Sequence, residues 1–124
     1  MQSCAVDIWA AGVIFLSLLA ERHPIFSLNS SSKVKSFTMQ NLLPITYVFG
    51  SDEVKAVCYE MGYGYKCPQH IEKLDLMKLI KSKHEKAGME LLSKMLTLRP
   101  KDRIKASDAL KHSFFDEVRE SLKI

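Results

Sequence analysis

Residues 5–26 read AVDIWAAGVIFLSLLAERHPIF, and no other stretch restricts the fold as tightly. From Ile8 to Ala20 there is no charge, and apolar residues occupy every side of a helix wound through the run. A membrane span wants about 20 predominantly apolar residues; this run is shorter and carries Gly12 and Ser17 inside it. A secretory leader would place positive charge ahead of its apolar core, whereas here the only charge ahead is Asp7. A soluble helix that is hydrophobic all round is the central helix of a core. The sequence therefore predicts a buried helix over about residues 4–22, with other helices packed on most of its sides and no membrane partner.

Pro24 cannot continue that helix, and it pushes His23 toward an extended conformation. The loop SLNSSSK follows, with Ser30, Ser31 and Ser32 as N-cap candidates. Residues 33–43 read as an amphipathic helix with Val34, Phe37, Met39 and Leu42 inward, ended by Pro44. Ser51, followed by Asp52 and Glu53, opens another helix that stops at Gly62. Ile71, Leu74, Met77, Leu79 and Ile80 recur near helical spacing over residues 70–82. Met89, Leu92, Met95 and Leu96 form one face of a helix that ends before Pro100, and Ala106 or Ser107 opens a short one carrying Ala109 and Leu110. No segment sustains period-two alternation, so the fold class is all-α.

The net charge of +4 comes from lysines spread among acids, as in Lys73, Lys78, Lys81, Lys83 and Lys86 with Glu72, Asp75 and Glu85. A nucleic-acid surface concentrates its cations on one face beside aromatics or a known module. None is visible, and no direct nucleic-acid partner is expected. Cys4, Cys58 and Cys67 are odd in number with no framework spacing, which suggests reduced thiols in an intracellular protein. Cys58 and Cys67 with His70 match no common zinc spacing and lack an evident fourth ligand. The four histidines lie in separate segments, paired to no nucleophile by pattern. No catalytic, cofactor-binding or metal-ligating residue is expected in the chain.

Two stretches resemble the large lobe of a eukaryotic protein kinase. The family's central helix is written D-x-W-x-x-G, and Asp7, Trp9 and Gly12 match it, with Pro24 and Phe26 approximating the turn that follows. The family's closing pattern is matched by Leu91-Leu92, Met95-Leu96, Pro100, Asp102-Arg103-Ile104, Ala109-Leu110, and His112 with Phe115. Within the family, VDIWAAGVIFLSLL is similar to the same helix of the cell-division-cycle kinases that fire replication origins. Residues 29–85 match only loosely.

The resemblance implies that residues 1–124 are the C-terminal half of a kinase large lobe, with a central helix over about 4–22 and terminal helices over about 86–120. It implies structural roles for Asp7, Trp9, Gly12 and Arg103. Asp7 would accept backbone hydrogen bonds from the catalytic loop, and Arg103 would pair with the glutamate that closes the activation loop. Phosphoryl transfer needs a glycine-rich phosphate loop, a lysine, a catalytic aspartate and a metal-binding aspartate. The family's motifs for these are not found; GYGYKC, from Gly62 to Cys67, lacks the third glycine and follows a helix. ATP and Mg²⁺ thus belong to a full-length serine/threonine kinase parent, as do protein substrates, a regulatory subunit and a nuclear location. By the resemblance the chain starts just after the activation segment, which leaves Asp7 and Arg103 without their usual partners and the isolated chain marginal. The alternative is a non-catalytic helical module that binds kinase partners or regulatory subunits.

Overall fold

Most of the apolar stretches that the sequence assigns to helices are helical in a computed structural model of the chain, which describes residues 4–21, 37–67, 69–79 and 86–122. Six α-helices occur among these residues: α1 (Ala5–Ala20), α2 (Phe37–Phe49), α3 (Ser51–Glu60), α4 (Lys86–Met95), α5 (Ala106–Leu110) and α6 (Asp116–Leu122), and no strand. The described residues fall into two compact units. One comprises residues up to Glu21 and from Lys86 onward; the other comprises residues 37 through 79.

In the first unit α1 packs on α4. Asp7 lies in the first turn of α1, where a carboxylate favours the positive end of the helix dipole. Ser17 hides its hydroxyl by donating to the Val13 carbonyl at 2.8 Å. The helix ends on Glu21, which takes the left-handed conformation with φ 53°. Leu16, Leu91 and Leu92 are the best buried side chains here, each worth about 1.5–3 kcal/mol of apolar transfer. Gly12 sets the approach: a Cβ there would meet Leu96 Cδ2 at 2.9 Å and Met95 Cβ at 3.1 Å. Phe15 and Phe114 stack at 5.4 Å between centroids and fasten the region after α5 to α1.

The expected burial of α1 is met on one face alone. Gly12, Leu16 and Ala20 are buried, but Val6, Ile14 and Leu18 are 49%, 62% and 72% exposed. Among the described residues of this unit α4 covers one face, and nothing covers the face carrying Ile14 and Leu18.

The second unit departs from expectation in two places. Pro44 does not end a helix; α2 runs through it to Phe49. A proline inside a helix forfeits one hydrogen bond and costs about 3 kcal/mol. Burial offsets that, because Pro44 itself and Leu43, Val48 and Phe49 are all inside. Thr46 adds a second tie, its hydroxyl donating to the Leu42 carbonyl at 2.7 Å. The candidates Ser30 to Ser32 and Val34 lie outside the described residues.

Residues 70–75 are irregular rather than helical, with a single 3₁₀ turn at Leu76–Leu79; Ile80 and the two residues after it lie outside the described residues. The backbone here is already committed elsewhere. The Ser51 amide donates to the Ile71 carbonyl at 2.9 Å, and the Leu74 amide donates to the Val48 carbonyl at 2.9 Å. These bonds cross the α2–α3 junction at Gly50, whose φ of 86° and whose closeness to Lys73 N (3.0 Å from a Cβ placed there) exclude a side chain. Tertiary pairing has overridden helical spacing.

Candidate functional site

The sequence RPKDRI builds the most connected polar centre of the first unit. Pro100 opens a 3₁₀ turn, Pro100–Asp102, where its missing N–H costs nothing. The turn delivers Arg103 beneath the end of α4. Arg103 Nε donates to the Thr97 carbonyl at 2.9 Å and Nη2 to the Leu98 carbonyl at 3.0 Å. Nη1 reaches the Ala5 carbonyl at 2.6 Å, across 98 residues of chain. The guanidinium carbon lies 5.0 Å from the centre of the Trp9 ring, within cation–π range.

Burial lowers the Arg103 pKa below the ordinary guanidinium range, yet arginine stays charged at any pH a protein meets. A buried cation survives only if its donors are used. Here main-chain oxygens take one N–H from each nitrogen, and the Trp9 face lies against the cation. Ile104 completes the dock, its amide donating to the Lys94 carbonyl at 3.2 Å.

Of the four residues expected to be structural, the fold brings Trp9 and Arg103 into contact and sets Gly12 against Leu96. Asp7 does not join them; it is exposed and lines an open cavity of about 690 Å³ beside Arg103, Lys101 and Lys105. The cavity does not fit ATP with Mg²⁺. Asp7 is its single carboxylate and no glycine lines it, so it offers neither a phosphate-covering loop nor paired metal-binding and catalytic aspartates. Among the described residues no three His, Cys, Asp or Glu side chains gather as a metal would need.

Sequence reasoning missed a polar centre in the second unit. Ser51 is fully buried at the start of α3, and its Oγ accepts the Ile71 amide at 2.9 Å while lying 3.3 Å from the Ile71 carbonyl. His70 Nδ1 is 3.5 Å from Ser51 Oγ and 3.7 Å from Asp52 Oδ1. The set resembles a Ser-His-Asp triad in composition only, because the hydroxyl is buried and bound to backbone. The cue was the pairing of GSD with HIE, two short polar words that spacing alone does not connect. Nearby, Thr46 Oγ1 spends its proton on Leu42 and so accepts from the Tyr65 hydroxyl at 3.1 Å. Burial raises the Tyr65 phenol and the Cys58 thiol, which makes neither a ready nucleophile.

The family described as the protein kinase domain matches residues 1–115. The chain belongs to the protein kinase family. Its segment is similar to the probable cell division control protein 7 homolog 2 of Encephalitozoon cuniculi, 30% identical over 128 residues that cover 95% of this chain and 34% of the relative. It is also similar to the cell cycle protein kinase spo4 of Schizosaccharomyces pombe, 26% identical over 133 residues, 93% of this chain and 29% of the relative. Cyclin-dependent kinase B2-2 of Arabidopsis thaliana is 33% identical over 118 residues, 94% of this chain and 34% of the relative. The chain spans about a third of the length of these relatives. It is thus a kinase-domain fragment of the cell-cycle type, and no helix among its described residues is long and apolar enough to cross a membrane.

Proposed function

We propose that this chain is scaffold taken from the large lobe of a serine/threonine kinase of the replication-origin type. ATP-dependent protein phosphorylation then belongs to a full-length parent that supplies the nucleotide and Mg²⁺ sites. The observation that carries the reading is the Arg103 clamp. One guanidinium ties the D-x-W helix to the D-R-I turn, the two segments that hold the family's residues, through Ala5 and Trp9. In the parent, Asp7 at the cavity rim would hold the catalytic loop, and Arg103 would pair with the carboxylate that closes the activation loop. Its bonds to Thr97, Leu98 and Ala5 use one N–H on each nitrogen, and a guanidinium has five. Substrate proteins, a regulatory subunit and a nuclear location follow from the same reading.

The test is the intact mass of the endogenous protein, captured with an antibody raised against residues 33–65. A species much heavier than 14.1 kDa, with kinase activity in the captured fraction, is expected. Phosphate transfer by the purified 124-residue chain alone would overturn the proposal.

A second reading, a non-catalytic module that binds kinase partners, is favoured by the bare face of α1. Ile14 and Leu18 are 62% and 72% exposed on neighbouring turns. Capture of a regulatory subunit by the 124-residue chain supports it; no binding at micromolar concentration removes it.

A further inference from the structure

His70 sits between two carboxylates, one on each side of its ring. Nε2 is 2.9 Å from Glu72 Oε1, on the same segment, and Nδ1 is 3.7 Å from Asp52 Oδ1, in the first turn of α3. An ionised carboxylate only accepts hydrogen bonds, and a neutral imidazole has one donor and one bare nitrogen. A neutral ring can therefore serve one of these neighbours while turning a lone pair toward the other. The imidazolium serves both.

We infer that His70 is a proton-operated latch, whose imidazolium pins the segment 70–74 across the α2–α3 junction and whose neutral form lets the start of that segment lift. The latch acts at the start of the segment, ahead of its backbone ties. Next to it is the Ser51–Ile71 pair, in which each backbone amide is bonded to the other residue: Ser51 N to Ile71 O at 2.9 Å, and Ile71 N to Ser51 Oγ at 2.9 Å. Beyond that, Leu74 N to Val48 O is the next tie along the segment.

The groups facing the ring are Glu72 from its own segment and Ser51, Asp52 and Lys55 from α3. The hydrogen bond to Glu72, then the charge of Asp52, raise the His70 pKa above its ordinary value, and desolvation and Lys55 work against them. A raised value means that the folded state holds the proton more tightly than the open one. The latch is fully engaged below the ordinary imidazole range near pH 6.5 and is lost as pH rises through the raised value. Its working window thus begins at the ordinary imidazole value and extends upward from it.

The test is amide hydrogen exchange of the full 124-residue chain by NMR at about pH 6 and about pH 8.5, corrected for intrinsic base catalysis. Protection of the Ile71 and Ser51 amides is expected to fall by about two- to fivefold between these conditions, the range of an exposed ion pair, while the Val57 amide inside α3 keeps its protection. In His70→Gln the change at Ile71 disappears. In the double variant Asp52→Asn with Glu72→Gln, whose parent side chains are 84% and 90% exposed, it disappears as well. Protection of Ile71 that is independent of pH in the wild type overturns the latch. So does the same dependence in either variant, or an unprotected Ile71 amide at both pH values.

Discussion

The two units are closed by different chemistry. Around α1 and α4, one cation gathers carbonyls from chain segments up to 98 residues apart. Around α2 and α3, neutral hydroxyls on Thr46 and Ser51 tie segments about 20 residues apart, with an imidazole latched beside them. A single buried charge concentrates dependence on one residue. A set of hydroxyl bonds, each worth about 1 kcal/mol, spreads it. The first unit should therefore fail at a point and the second by degrees.

The sharpest break is Arg103→Met. It leaves the Ala5, Thr97 and Leu98 carbonyls without their donor and removes the cation from Trp9. A loss of about 3–5 kcal/mol is expected, read as a lower urea midpoint, with Arg103→Lys failing to rescue because an ammonium cannot span the three directions. Next comes Gly12→Ala. The new methyl must enter at 2.9 Å from Leu96 Cδ2, and overpacking of this kind costs about 1–3 kcal/mol in a thermal or urea melt.

Thr46→Val probes the other unit. It deletes the bonds to Leu42 and Tyr65 but leaves a side chain of similar shape, so about 1 kcal/mol is expected. A loss as large as that of Arg103→Met would erase the contrast between the units. The smallest effect belongs to Leu18→Lys on the bare face of α1. Stability should change by less than about 0.5 kcal/mol, while concentration-dependent association, measured by light scattering, falls.

The same contrast decides what the sequence disclosed. Asp7, Trp9, Gly12 and Arg103 stand in fixed spacings, so the first unit was legible as motif, and the contact of Trp9 with Arg103 joins its two halves. The backbone receptors of Arg103 were not legible, because a carbonyl leaves no mark in the residue names. In the second unit, the helix-ending rule for proline misread Pro44, and periodicity misread residues 70–75. Pro44 is carried by burial of its neighbours, and the backbone of Ile71 and Leu74 is held out of a helix by Ser51 and Val48. Such partners lie outside any window over which spacing is counted. Arg119 was silent for a like reason; it holds α6 by reaching the Leu110 carbonyl and Asp116.

The reach from Ala5 to Arg103 also has a consequence in time. A ribosome adds about 5–20 residues per second. The 98 residues between donor and acceptor therefore take about 5–20 s to make, during which α1 has left the exit tunnel with neither α4 nor the clamp to cover it. Every nascent copy passes through an interval in which this apolar segment lacks its covering helix, and a holdase that recognises short aliphatic runs would find AGVIFLSLLA before α4 exists.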